Sequence, residues 1–539
     1  MSTSTPSLFL LPTELVMEVV ESLDAKTLLA CRATCHKLWA IAHCVLQRYV
    51  AALAANGLQD DIANRSSVCD RLAGIGMYAA AWARSGGDRR LECVSAMTTE
   101  PHPLWVSALA QGFWAHSKGP ETTSLVVRRL PVRVLGVEEE RWDVDLGFNV
   151  ATMVMDPAQD LLLALQKSSV TSLGGNTFHI LSLRTGRPHP LASTSRFQAE
   201  SHQSFRRLCN IYGDYICIYK FMLRERSMGA GEIMVINWKT GEIEMSLPIP
   251  DCTSDACFLD DRYIIYIPTG TSTPTLMVYP FRSLQRNAQS HPMARYSLHL
   301  PPLHANITLR SAVSRTEAPF PPSRLAPIST TATSTRQVDD WLLSFNMECK
   351  DEEPWADADQ YRHFKLFVSS TLSSYLDELF SSPENIQRLS TGIPWEEWAP
   401  AHARLMVPNL SSFNFFSRPA SMRVADWDQS TMHDPSRERR ITVYDFHSAR
   451  VSPLLENPSG GEGASLETLF AAPVTVGMPF VERRFVIPED DENEVSPDQR
   501  SVPVSVSVTE DGLFVQFNRS IERQWRCYSF PEKDCSQKI

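Results

Sequence analysis

Two short stretches of this 539-residue sequence carry side chains that could do chemistry, and the first is WEEW at 395–398. Its carboxylates, Glu396 and Glu397, could act as a general acid and a general base. Adjacent residues point to opposite faces of a strand and lie about 100° apart on a helix, so these two are poorly placed to share a substrate. We therefore favour packing of Trp395 and Trp398 in the core, with binding of a sugar or a basic peptide as the alternative.

The second stretch gathers Cys31, Cys35 and Cys44 around His36 and His43, which are residue types that bind zinc. The same region falls on the apolar face of a predicted helix, where free cysteine behaves as a small hydrophobe. The twelve cysteines form no C-x-x-C pair, and no nucleotide-binding, G-x-S-x-G or H-E-x-x-H motif occurs. The sequence therefore predicts a non-catalytic protein with no metal and no cofactor.

Composition narrows the possible classes further. An apolar content of 43% and a charged content of 21% are typical of globular proteins. The net charge of −11 argues against nucleic-acid binding through a basic surface. The sequence contains neither a long apolar run that would predict a membrane span nor a secretory signal. Unpaired cysteines fit a reducing compartment, so we expect no membrane partner and a location in the cytoplasm, the nucleus or both.

The elements that position any site begin with a pair of apolar helices. In ELVMEVVESL the apolar residues recur at helical spacing behind Pro12, a residue tolerated at a helix start. A second helical face runs from Leu28 to Ala42. A unit this small has more apolar surface than it can bury internally, so the sequence predicts either a binding partner or a helical cap with its own core.

These helices resemble an F-box. The resemblance covers residues 8–48 and rests on Leu11-Pro12-x-Glu14-Leu15, Leu23-Asp24, Leu28-Leu29, Arg32, Cys35 and Leu38-Trp39. It departs from the family at Thr34, where valine is usual, and in a tryptophan shifted by one position. It implies docking onto a Skp-type adaptor, and through it onto a cullin, by seven residues: Leu11, Pro12, Leu15, Val19, Leu28, Leu29 and Trp39.

A helical linker is predicted over residues 49–120, followed by a repeated β region over residues 121–539. An acidic turn with an apolar strand recurs at 160, 214, 261, 340 and 511, and a second strand pattern recurs at 179, 234, 277, 442 and 526. The aspartates in these turns are expected to bond backbone amides, and Gly186 and Gly241 mark the clearest turns because glycine accepts positive φ. Three insertions are expected, at 313–337, 457–465 and 488–501.

Repeats of about 45–60 residues made of strands and tight turns favour a β-propeller. Five or six units are apparent, and residues 450–510 could hold another, so we predict an irregular six- or seven-bladed propeller. A pair of β-sandwiches and a β-solenoid are the alternatives. The predicted fold class is α+β and multidomain, with the helical unit first and the large all-β region second.

The combined prediction is a substrate-recognition subunit of an SCF-type (Skp adaptor–cullin–F-box) E3 ubiquitin ligase, in which the β domain binds an unidentified client protein. Two alternatives belong to other classes. One is a scaffold that binds the adaptor without client turnover. The other is a propeller enzyme with a helical cap, which would need Asp, His or Glu side chains converging on the central channel. No client-binding residue is predicted.

Overall fold

A computed structural model describes residues 11–23, 25–56, 59–60, 67–83, 89–99, 106–118, 122–132, 138–167, 176–199, 210–224, 227–249, 255–282, 296–315, 334–335, 341–351, 361–380, 385, 388, 391–406, 423–427, 439–446, 469–471, 474, 478, 480–487, 502–508, 512–518 and 523–529. Within this part of the chain, helices come first and a ring of four-stranded sheets follows. No described helix is long and apolar enough to cross a membrane.

Four helices open the chain: α1 (Thr13–Glu21), α2 (Ala25–Arg32), α3 (His36–Ala55) and α4 (Val68–Ala83). Pro12 precedes α1, and its carbonyl accepts the first helical hydrogen bond, from Val16 N at 3.1 Å. Ser67 caps α4, since its Oγ accepts a hydrogen bond from Asp70 N at 3.0 Å and donates one to Asp70 Oδ2 at 2.7 Å. The predicted helical N-terminal unit is therefore confirmed.

Three strands come before blade 1 in the sequence: β1 (Gln59–Asp60), β2 (Arg89–Arg90) and β3 (Glu92–Thr99). Blade 1 holds β4 (Ser107–Ala110), β5 (Phe113–Ser117), β6 (Ser124–Arg129) and β7 (Glu140–Asp145). Blade 2 holds β8 (Val150–Asp156), β9 (Leu161–Gln166), β10 (Asn176–Ser182) and β11 (Arg196–Ala199), with a 3₁₀ turn at Pro157–Gln159. Blade 3 holds β12 (Ile211–Tyr212), β13 (Tyr215–Arg224), β14 (Ser227–Asn237) and β15 (Ile243–Ile249).

Blade 4 holds β16 (Ala256–Phe258), β17 (Tyr263–Tyr266), β18 (Thr275–Pro280) and β19 (Tyr296–His299). Blade 5 holds β20 (Ile307–Arg315), β22 (Leu342–Asp351), β23 (Tyr361–Ser369) and β24 (Ala403–Met406). Strand β21 (Ser334–Thr335) lies between β20 and β22 in the sequence and pairs with β1. Helices α5 (Leu372–Phe380) and α6 (Trp395–His402) lie between β23 and β24 in the sequence. Blade 6 begins with β25 (Arg423–Trp427), β26 (Arg439–Asp445) and β27 (Val481–Ile487). Blade 7 begins with β28 (Val502–Val508), β29 (Gly512–Asn518) and β30 (Arg523–Ser529).

The fourth strands of the last two blades come from the N-terminal segment. Strand β2 pairs in parallel with β27, which places Arg89 opposite Phe485, and β3 pairs antiparallel with β30. The segment that follows α4 therefore completes blades 6 and 7 before the chain enters blade 1. The molecule is a seven-bladed β-propeller behind a helical unit, which confirms the propeller prediction.

The prediction of a helical linker over residues 49–120 is wrong where the structure describes strands in this range. Residues Arg89–Arg90, Glu92–Thr99, Ser107–Ala110 and Phe113–Ser117 are strands of blades 6, 7 and 1. The acidic-turn patterns all mark the second strands of their blades. The other patterns mark third strands, except that the pattern at 442 lies on β26, a second strand. The predicted insertions at 457–465 and 488–501 lie outside the described residues, as do residues 316–333 of the first one.

Strand β9 is apolar over most of its length because neighbouring blades cover both of its faces. In β9 the first five residues, LLLAL, are all buried. The tight turns are also as expected, since Gly186 has a φ of +68° and Gly241 a φ of +80°. These turns let the strands of one blade follow each other closely enough to pack against the next blade.

Candidate docking face

The first three helices pack their apolar faces into one shared core. Val16 and Val20 on α1 are buried together with Leu28 on α2 and with Leu38 and Tyr49 on α3. Because i and i+4 lie on one helix face, burial of Val16 and Val20 turns the Leu15–Val19 side of α1 outward. The packing of α1 therefore leaves Leu15 and Val19 at the surface.

Six of the seven predicted contact residues lie at the surface, and we call them the docking face. Leu15 is 45% exposed, Leu29 is 55% exposed and Trp39 is 41% exposed. The complete set is Leu11, Pro12, Leu15, Val19, Leu29 and Trp39. All six come from α1, α2, α3 and the residues just before α1.

Leu28 does not join this face. It is fully buried against Val16 and Val20, whereas the next residue, Leu29, is exposed. Adjacent helical residues differ by about 100° in direction, so one leucine of the pair enters the core and the other does not. The prediction of Leu28 as a contact residue is therefore wrong, and its side chain anchors α2 in the core shared with α1 and α3.

Trp39 lies between two histidine rings. The His43 ring stacks on it at 4.8 Å between centroids and 16° between planes, and His36 lies 6.0 Å away on its other side along the helix. These rings are the neighbours that orient the Trp39 indole. Among the residues that the structure describes, no three His, Cys, Asp or Glu side chains are grouped so that they could hold a metal ion.

One exposed apolar residue of these helices was missed from the sequence. Val50 on α3 is 59% exposed, although Tyr49 and Leu53 on the same helix are buried. Val50 lies eleven residues beyond Trp39, close to three helical turns. Extending the helical periodicity past residue 42 would have found it.

Other sequence-based candidates are structural. Trp395 and Trp398 on α6 are buried, and the Trp398 indole donates a hydrogen bond to His299 O at 3.1 Å. Glu397 accepts two hydrogen bonds from Arg388 Nη2, at 2.6 and 2.7 Å. The packing interpretation of WEEW is therefore confirmed.

The turn aspartate of blade 2 also supports the fold. Asp160 accepts hydrogen bonds from Arg184 N at 2.8 Å and from Ser182 Oγ at 2.6 Å. It thereby ties the turn before β9 to the end of β10, and the expectation that this side chain bonds backbone amides is confirmed.

The comparisons with known proteins decide what the helices are. The family model of the F-box domain matches residues 8–38. These helices are an F-box domain. The match ends inside α3, so the matched F-box takes in α1, α2 and the first three residues of α3. The docking face lies entirely within the F-box apart from Trp39, which is the residue after the match.

Two solved structures show weak likeness to the whole chain. The β-propeller domain of the Trilobed protease from Pyrococcus furiosus is 7% identical with a TM-score of 0.37, and covers 83% of this chain and 100% of that one. The computationally designed Ika8 protein is 8% identical with a TM-score of 0.29, and covers 82% of this chain and 100% of that one. Neither carries an argument about this chain, and no curated protein matches it.

Proposed function

We propose that the chain is a substrate-recognition subunit of an SCF-type E3 ubiquitin ligase. In this proposal the F-box docks onto a Skp-type adaptor, the adaptor links it to a cullin, and the propeller binds a client protein. This role would place the chain in the cytoplasm, the nucleus or both.

The observation that carries the proposal is where exposed apolar side chains occur. The described residues include nine large apolar side chains that are markedly exposed, and six of them lie between Leu11 and Val50. Single exposed apolar residues are ordinary, but a concentration of them on short helices is typical of a binding surface. An adaptor helix or groove would remove this surface from water.

The propeller supports the second half of the proposal by its architecture. It is a large folded body with many loops, and binding surfaces are commonly built on loops held by a rigid scaffold. Tethering a client to the ligase would raise its local concentration near the ubiquitin-transfer enzyme. In this mechanism the chain contributes proximity, and the transfer enzyme performs the chemistry.

The test is co-purification of the full chain with a Skp-type adaptor. We expect the wild type to retain the adaptor and the Leu15→Ala/Val19→Ala/Leu29→Ala variant to lose it. The matched control is Leu191→Ala/Ile243→Ala, which removes two propeller side chains that are each 60% exposed. Equal retention by both variants would contradict the proposal.

A second arm separates a ligase subunit from a scaffold. When a cullin is added, a ligase subunit should form the ternary complex and support ubiquitin transfer to proteins captured by the propeller. A scaffold would retain the adaptor without promoting client modification. That outcome would leave the F-box docking correct and the ligase role wrong.

A further inference from the structure

Helix α4 contacts the F-box at its first turns. The backbone N–H of Val68 donates a hydrogen bond to Leu23 O, just after α1, at 3.0 Å. The side chain of Arg71 is buried, and its Nη1 donates to the hydroxyl of Tyr49 on α3 at 3.4 Å. The start of α4 is thus held by the residue that follows the end of α1 and by α3.

The last turns of α4 contact blade 6. Tyr78 accepts a hydrogen bond from Arg423 Nη1 at 2.7 Å, and the Arg423 guanidinium lies over the Trp82 ring at 4.2 Å from its centroid. The Trp82 ring also meets Phe485 on β27 edge to face at 6.2 Å. One 16-residue helix, about 24 Å long, therefore touches the F-box at one end and the propeller at the other.

Arg423 connects this contact to three strands of blade 6. Its Nε donates a hydrogen bond to Asp445 Oδ2 on β26 at 3.1 Å, and Arg483 on β27 donates to the same oxygen at 3.4 Å. Burial acts to lower the pKa of Arg423, but the Asp445 carboxylate and the Tyr78 hydroxyl together raise it above its ordinary value, so the guanidinium stays charged. A buried charge of this kind depends on every partner that it has.

The apolar core is continuous across the same boundary. One cluster joins Val16 of α1 and Tyr49 of α3 with Phe485 of blade 6 and Val515 and Tyr528 of blade 7. The chain that leaves α4 then supplies β2 to blade 6 and β3 to blade 7. Leu91, between these strands, donates a backbone hydrogen bond to Val486 O at 3.1 Å.

We propose that one cooperative unit consists of the F-box helices, α4 and blades 6 and 7, which open and close together. Helix α4 connects the F-box helices to the blades in this unit. An event at the docking face would then change the stability of the ring closure about 400 residues away in sequence, and the reverse would also hold. This inference goes beyond the proposed function. Only the arm that uses the adaptor rests on it.

The experiment is amide hydrogen exchange of the full chain carrying Tyr78→Phe. This substitution keeps the ring and removes only the oxygen that accepts from Arg423. Exchange of protected amides reports the free energy of local opening. Losing one buried partner should raise exchange rates at least about fivefold. We expect that rise in α1 and α3 and in β27 and β30 together, with blades 2 and 3 unchanged.

The matched control is Tyr263→Phe. Tyr263 is also buried, and its hydroxyl donates a hydrogen bond to Asp377 of α5 at 2.9 Å, far along the chain from the F-box. It should raise exchange in blade 4 and α5 without affecting α1 or α3. A Tyr78→Phe effect confined to α4 and β25, or a Tyr263→Phe effect that reaches the F-box, would overturn the proposal.

The adaptor arm measures exchange after a Skp-type adaptor is added. Slower exchange in β27 and β30, which lie more than 400 residues beyond the docking face in the sequence, is the expected result. Adaptor binding without that protection would overturn the cooperative unit. Failure of the adaptor to bind would contradict the proposed function, and the Tyr78→Phe comparison would still decide whether the unit exists.

Discussion

Replacing Leu15, Val19 and Leu29 by alanine should weaken adaptor binding without weakening the fold. These side chains are 45%, 41% and 55% exposed in the free chain. Fully burying a large aliphatic side chain is worth about 1.5–3 kcal/mol, so burying the exposed fractions of all three contributes at most about 2–4 kcal/mol. The dissociation constant should therefore rise by roughly 30- to 1000-fold.

The assay is a titration of the full chain with a Skp-type adaptor, paired with urea unfolding. The comparison variant is Leu28→Ala, which cuts a fully buried side chain and should lower the free energy of unfolding by about 2–5 kcal/mol. The triple variant should keep the wild-type unfolding midpoint. A dissociation constant within twofold of the wild type, with both proteins folded, would refute the docking face as the adaptor contact.

Three further predictions concern the propeller. Burial lowers the pKa of His116 to about 4 from an ordinary value of 6.5, so unfolding takes up a proton at pH values between these two. The free energy of unfolding should therefore fall by about 2 kcal/mol from pH 7 to pH 5, and His116→Gln should flatten that pH dependence in urea unfolding. Lys365 and Asp426 form a buried ion pair at 3.0 Å, so Asp426→Ala should lower the free energy of unfolding by about 3–5 kcal/mol because it leaves Lys365 buried and unpaired. The double variant Lys365→Met/Asp426→Leu should recover most of that loss, and equal losses in the single and double variants would contradict the prediction. Gly186→Ala should lower the melting temperature more than Gly112→Ala, because both have positive φ but only at Gly186 would a Cβ meet other atoms, 2.6 Å from Val144 Cγ1 and 2.8 Å from Asp145 O.

Local periodicity explains what the sequence could predict. The 3.6-residue repeat identified the F-box helices, and the acidic turns identified strands such as β9 and β17. Choosing between Leu28 and Leu29 needed the packing of α2 into the helical core, because both are leucines one position apart. Burial on both faces also removes the polar–apolar alternation from strands such as β9, so the sequence pattern does not show which face of such a strand packs on which blade.

Blade 1 escaped prediction for a different reason. Its first hairpin is short: SALA and FWAHS are joined by Gln111 and Gly112, whose φ values are +51° and +74°. Two residues with positive φ are the usual connection of a tight hairpin, and a glycine in the second position is the signal that was available. The partners of β2 and β3 carried no such signal, because a strand's own residues do not reveal a pairing with residues hundreds of positions away.

That distant pairing has a consequence for synthesis of the chain. Arg89 and Arg90 leave the ribosome long before Phe485 and Val486, to which they pair about 400 residues later. At about 5–20 residues per second, roughly 20–80 s separate the two. Throughout that interval the N-terminal strands have no sheet to join, and the α4 aromatics have no blade to cover them. We expect chaperones to protect the nascent chain, and the ring to close only after β30 has left the ribosome.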